Sequence, residues 1–200
     1  MSRLIALALA VSGVAHAQPA PAPVAEAPED DLGDQAISGQ LGLAAGGRMT
    51  PGGLRISGHY LYQLSGRDWF DGGAHFTFGS GGAGCFRDRD NAVICDHGAT
   101  SGSGVEVVAG VRRMLRAQGG FRPYARLGLG LGIARYGDDD LSGFTVALHA
   151  GAGLRVKVAP SIAVVAEADL GLGLGHFNHE LGNAPYTGLA VGAGVEFRLR

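Results

Sequence analysis

Residues 121–135 read FRPYARLGLGLGIAR. Phe121, Ala125, Leu127, Leu129, Leu131 and Ile133 form one set, and Arg122, Tyr124, Arg126, Gly128, Gly130, Gly132 and Ala134 form the other. The period is two, the repeat of a β-strand whose successive side chains point to opposite faces. One face is apolar throughout. The other starts with charged and polar groups and then carries glycine at every step. A strand facing water would place Lys, Glu or Thr there, because glycine weakens a strand and packs nothing. Glycine suits a face crowded by other backbone, as on the inner wall of a small closed barrel.

The same alternation recurs along the chain. Eight segments carry it: 37–45, 54–64, 73–79, 104–115, 121–135, 144–158, 162–175 and 186–199. In the second, Leu54, Ile56, Tyr60, Tyr62 and Leu64 oppose Arg55, Ser57, His59 and Gln63. In the fourth, Val105, Val107, Ala109 and Val111 oppose Glu106, Gly110 and Arg112. The seventh sets Val164, Ala166, Ala168, Leu170, Leu172 and Leu174 against Glu167, Asp169, Gly171, Gly173 and Gly175. If the first segment starts on the periplasmic side, the links 117–120 and 159–161 fall inside and are among the shortest. The longest link, 80–103, falls outside. Short inner turns and long outer loops are the rule for outer-membrane barrels. The inner link 65–72, with Trp69 and Phe70, fits that rule least well.

Two hundred residues suit one domain of ordinary size. A net charge of −2 removes any electrostatic case for nucleic acid. Past the N-terminus no apolar run reaches the roughly 18 residues that a spanning helix needs, which excludes helical insertion only. Arg3, the apolar residues 4–14 and Ala15-His16-Ala17 have the form of an export signal, residues 1–17. Residues 18–36, QPAPAPVAEAPEDDLGDQA, are rich in Pro and Ala and then acidic, and predict a flexible or polyproline-like spacer before a barrel over 37–200. Export leads to an oxidising compartment, so Cys85 and Cys95 are expected to pair, with free thiols or a metal pair as the alternatives.

Alternation alone does not say which face is inside. A lipocalin-like barrel would turn its apolar face inward around a ligand. Its outer surface would then be the glycine face, with little side chain to keep it soluble. The reverse assignment puts the apolar face against lipid and leaves an interior that the side chains of eight strands just fill. The expected fold is therefore all-β: an eight-stranded antiparallel up-and-down transmembrane β-barrel. Arg122, Arg126, Arg155, Lys157, Glu167, Asp169, Glu196 and Arg198 then share the inner face toward the periplasmic end, as an expected lumen charge cluster. Glu106 and Arg112 extend the set. Inside a lumen such charges must pair, which favours a plug of salt bridges over an ion path. Tyr60, Tyr62, Phe78, Phe121, Phe144 and Phe197 fall near strand ends on the apolar face, as interfacial girdles would.

With these features the chain resembles the small eight-stranded outer-membrane barrels, the class that includes the transmembrane domain of outer membrane protein A. The resemblance covers residues 37–200. Members of the class end in a signal read by the barrel-assembly machinery, a glycine followed three and five residues later by hydrophobic positions. Gly194, Phe197 and Leu199 match that spacing, although Arg200 is the last residue and Leu199 stands where an aromatic is commoner. The resemblance implies export to the outer membrane of a Gram-negative bacterium and a lipid bilayer as surroundings. Some barrels of the class modify lipid A, and the deacylase type carries a His-x-Ser pair on a lipid-exposed strand. Here His149 is followed by Ala150 and Gly151, so that pair is missing. His59, His75 and His149 share the lumen face, and residues 176–180, HFNHE, would hold a metal only if a turn brought the imidazoles together. No catalytic, cofactor or metal set is expected. The expected role is a non-catalytic envelope or surface protein acting through its outer loops and an unidentified loop partner. A narrow pore and a lipid A-modifying enzyme are the alternatives.

Overall fold

The computed structural model describes residues 34–46, 51–80, 84–87, 93–96, 101–117, 120–136, 141–178 and 182–199. Ten strands are present among them: β1 (Gln35–Gly46), β2 (Gly53–Gln63), β3 (Asp68–Ser80), β4 (Gly84–Arg87), β5 (Val93–Asp96), β6 (Ser101–Met114), β7 (Phe121–Tyr136), β8 (Leu141–Ala159), β9 (Ile162–Phe177) and β10 (Gly182–Leu199). Eight of them close into an antiparallel barrel in the order β1-β10-β9-β8-β7-β6-β3-β2, with β2 returning to β1. Every barrel strand pairs with its neighbours in chain sequence, apart from β4 and β5. These two form a separate hairpin within the link from β3 to β6. This is the all-β, eight-stranded transmembrane barrel that the alternation predicts. The segment 1–17 and most of the spacer 18–36 lie outside the described residues. The barrel itself opens at Gln35, two residues before the expected start.

Two segment boundaries move by four residues or more. The expected third segment, 73–79, is the outer part of β3, which starts at Asp68. Trp69 and Phe70 therefore belong to a strand rather than to a link: Trp69 is buried inward and Phe70 faces out. The turn between β2 and β3 shrinks to residues 64–67. It is closed by the N–H groups of Leu64 and Ser65, which both donate to the Asp68 carbonyl at 2.8 and 3.0 Å. The inner turns are thus all short. At the other end, β10 starts at Gly182, four residues before the expected Tyr186, because outward Pro185 and Asn183 break the apolar pattern without ending the strand.

The faces sort as the glycine argument requires. Leu127, Leu129, Leu131 and Ile133 are between 51% and 64% exposed, while Gly128, Gly130 and Gly132 point inward and are buried. Leu41, Leu43, Val105, Val107, Leu148, Leu170, Leu172, Leu174, Leu189 and Val191 extend the same exposed apolar surface around the wall. Water cannot solvate such a wall without large cost, whereas lipid chains can cover it. On β7 this face runs from Phe121 to Ile133, about 40 Å along the strand and roughly 30 Å along the axis at the usual barrel tilt. Aromatic side chains mark its edges. Tyr60, Tyr62, Phe70, Phe121 and Phe197 ring the short-turn end, and Phe76 and Phe144 lie toward the other. Phe78, expected near a strand end on the apolar face, is half-buried, its ring 5.1 Å from that of Phe76.

A cation at the midpoint of this wall should be poorly tolerated. Leu129→Arg is expected to lower unfolding stability in lipid vesicles by about 2–4 kcal/mol, read from urea titrations; an unchanged midpoint would place the strand outside the membrane.

Candidate functional site

The inward side chains meet in the lumen, and alternation on all eight barrel strands puts them there. Arg112 on β6 is fully buried. Its Nε and Nη2 lie 3.0 and 2.9 Å from Asp71 Oδ2 on β3, and its Nη1 reaches Glu196 Oε2 on β10 at 3.2 Å. Its guanidinium carbon stands 4.4 Å over the Tyr124 ring. Glu196 also accepts from Arg155 Nε on β8 at 2.6 Å. One level further along, Arg126 on β7 reaches Asp169 Oδ1 at 2.9 Å and Glu167 Oε1 at 3.2 Å, both on β9. The Tyr124 hydroxyl donates to Glu167 Oε2 at 2.8 Å and so ties the two levels together. Arg55 on β2 adds a longer contact to Asp169, 3.5 Å.

The imidazoles join this network. His59 Nδ1 lies 2.8 Å from Asp71 Oδ1, and a carboxylate there makes that nitrogen a donor. The 3.3 Å approach of Arg126 Nη1 to the same nitrogen is then a close contact rather than a second bond. His149 stands between two acids, with Nδ1 2.8 Å from Asp169 Oδ2 and Nε2 3.0 Å from Glu106 Oε1. Both nitrogens can donate to carboxylates only when the ring carries two protons. Such a proton would also balance the lumen: Arg55, Arg112, Arg126 and Arg155 face Asp71, Glu106, Glu167, Asp169 and Glu196, one cation short. His75 bonds Ser57 Oγ through Nδ1 at 3.0 Å. The three rings form a row, with centroids 5.3 and 6.3 Å apart.

The glycines make room for these groups. A Cβ on Gly130 would stand 2.7 Å from Glu106 Oε1 and 2.8 Å from His149 Nε2. One on Gly171 would meet the Tyr186 and His149 rings at 2.9 and 3.0 Å. Gly153 lies under the Tyr124 ring, and Gly175 under Phe177. At Gly42, Gly110, Gly173 and Gly194 the obstacle is the neighbouring strand's backbone. The crowding is therefore of both kinds, large side chains across the lumen and close backbone along the wall.

The recesses lined by described residues are small and separate. An outer recess bounded by Arg55, His75, Thr77, Glu106, Thr145 and Tyr186 has about 30 Å³ for water centres. A second, beside Gln40, Ser57 and His59, has about 20 Å³, and a third near Trp69 and Met114 has about 10 Å³. Each holds a water or two at most. Between them Leu61, Arg112 and Tyr124 are at most 1% exposed and fill the cross-section. Leu61, Trp69, Met114, Tyr124 and Ala36 also form an apolar floor at the short-turn end.

The residues singled out from sequence divide. Arg126, Glu167, Asp169 and Glu196 are buried in the network, with Arg155 at its edge. Arg122 is only half-buried, and Arg198 pairs with Asp34 at the rim. Lys157 does not enter the lumen: it is exposed, because the register shift at Lys157/Ala159 ends the alternation of β8. Asp71, a central acid, was hidden in the supposed link before the third segment. On β10, Phe197 and Leu199 face outward and Gly194 inward, on the strand that seals the barrel against β1. Cys85 and Cys95 are direct partners in the β4–β5 register. His176, one residue before the end of β9, lies 2.9 Å through Nδ1 from Asn183 Oδ1, while His179 and Glu180 lie outside the described residues. Among the described residues, no three His, Cys, Asp or Glu side chains are placed to hold a metal ion.

No protein-family description matches the chain, and no curated protein does. Solved structures do. The crystal structure of Neisserial surface protein A (NspA) superposes with a TM-score of 0.56 at 14% identity, covering 83% of this chain and 96% of that one. The N-terminal β-barrel domain of Pseudomonas aeruginosa OprF gives 0.52 at 18% identity, covering 84% and 98%. These likenesses are of fold.

The small-residue requirement is open to test by substitution. Gly130→Val should displace His149 and Glu106 and cost about 1–3 kcal/mol. Gly39→Ala, where nothing lies within 4 Å of the added carbon, should be neutral in the same unfolding assay. Equal effects at the two sites would contradict the packing described.

Proposed function

We propose that this protein is a non-catalytic barrel of the outer membrane of a Gram-negative bacterium, exported by residues 1–17, that anchors its outer loops for contact with other molecules. The observation that carries this reading is the filled lumen. Arg112, Arg126 and their acids occupy the space through which a solute would pass, and every acid of the network already has a basic or phenolic partner. Such a core holds a wall together and leaves the loops as the variable part. The β4–β5 hairpin supports the same view, since the longest link builds structure of its own. Directly opposed residues of an antiparallel pair have Cα atoms about 4.5–5.5 Å apart, within disulfide reach, so Cys85 and Cys95 would lock that hairpin. Alkylation with and without reductant reads this pairing; two thiols labelled without reductant would count against it. Gly194, Phe197 and Leu199 serve in this reading as the signal to the barrel-assembly machinery.

One observation favours a pore, the outer recess that Arg55 and Glu106 help to line. Planar-bilayer recording separates the two readings. A filled barrel should give no stable openings. Stable openings that disappear in Arg126→Gln or Glu167→Gln would establish conduction through the lumen instead.

A further inference from the structure

Arg113 stands on the wrong face for a charge. It is on β6 between outward Val111 and outward Leu115, and its side chain is 65% exposed. The N–H of Leu115 donates to the Pro123 carbonyl at 2.8 Å, so the wall continues past it. Its register partners are Asp68 on β3 and Ala125 on β7, and Phe70 lies one step along, opposite Val111. An arginine here has its stem on the lipid-covered wall and its guanidinium at the rim of the short turns.

Two further arginines gather at this corner. The Met114 N–H donates to the Arg67 carbonyl at 2.7 Å, which brings the β2–β3 turn against the end of β6. Arg67 and Arg116 are both exposed. Asp68 is the acid among them, 3.6 Å from Arg113 Nε, and it is engaged within its own turn: Ser65 Oγ donates to its Oδ2 at 3.2 Å and accepts from its N–H at 3.0 Å. The corner thus carries three arginines and one aspartate, an excess of about two positive charges at the edge of an apolar wall.

We propose that Arg67, Arg113 and Arg116 form a headgroup site for an anionic phospholipid in the leaflet that meets the short turns. Guanidinium groups match the oxygens of a phosphodiester in a two-pronged geometry. The exposed side chains of Val111, Phe70 and Leu127 offer the adjoining surface to an acyl chain. A zwitterionic headgroup would bring its ammonium group against three cations, so the excess charge selects phosphatidylglycerol-type lipids over phosphatidylethanolamine. This rests on the proposed orientation, with the short turns on the phospholipid side.

The test uses the full chain in nanodiscs of phosphatidylethanolamine containing one-fifth phosphatidylglycerol, with retained lipid counted by native mass spectrometry. The wild type should retain phosphatidylglycerol preferentially, and R113Q/R116Q should reduce that retention by about fivefold or more. R67Q/R116Q changes two exposed side chains outside the strands and carries the same expectation if the first variant does not fold. Equal retention of both lipids by the wild type, or retention unchanged in the variants, overturns the site. Displacement of phosphatidylglycerol by soluble cell-wall fragments overturns it in favour of a peptidoglycan partner. Heat-modifiable gel mobility, measured in parallel, separates the two levels: a barrel that folds in lipid without lipid preference contradicts only this site, and a chain that does not fold there contradicts the membrane reading.

Discussion

Charge pairing in a lumen with room for very little water governs this molecule. Closing eight strands leaves a lumen that side chains alone can fill. Arg112 and Arg126 occupy its centre and cannot be solvated there, so the wall must bring acids to them. It does so from β3, β9 and β10 at once, through Asp71, Glu167, Asp169 and Glu196. Asp71, the pair Glu167 and Asp169, and Glu196 come from three separate strands and meet only when the sheet has closed. The network therefore acts as a check on closure and register, because a slip of one residue in β9 would turn Glu167 and Asp169 to the lipid and leave Arg126 unpaired. A buried pair of this kind is weak evidence for stability in itself. Its effect is to make one arrangement of the wall far better than its neighbours.

The glycines belong to the same solution. A network of large side chains fits inside a narrow barrel only if the strands facing it carry almost nothing. Gly130 and Gly171 flank His149, and Gly153 lies under Tyr124. Outside, the complementary residues are Leu, Val and Ile, which need no partners in lipid. The repeat LGLGLG is thus one strand serving two solvents, hydrocarbon on one side and a row of imidazole, phenol and carboxylate on the other.

Much of this was legible in order along the chain. Period two, the split of apolar and small residues, and the inward arginines of β7 followed from residues 121–135. Three things were not. Asp71 was missed because Arg67, Asp68 and the pair Gly72-Gly73 look like turn chemistry, and because Trp69 is a large inward residue where the pattern led one to expect a small one. Apolar inward residues such as Leu61, Met114 and Val165 cannot be told from lipid-facing ones by hydropathy, since both environments accept them. Lys157 has the right parity for the lumen but lies at a register shift that no local signal marks. Parity can be read from sequence; depth and register depend on the partner strand.

Pairing across the closed barrel is the claim from which filled lumen, glycine wall and loop-borne function all follow. A double-mutant cycle between Arg112→Met and Asp71→Asn, measured by reversible unfolding in lipid vesicles, tests it directly. Each single change strands a buried polar partner, so the account predicts that the double mutant is less destabilised than the sum of the two by about 1.5 kcal/mol or more. Additivity within about 0.5 kcal/mol would show the two groups to be energetically independent and would contradict it.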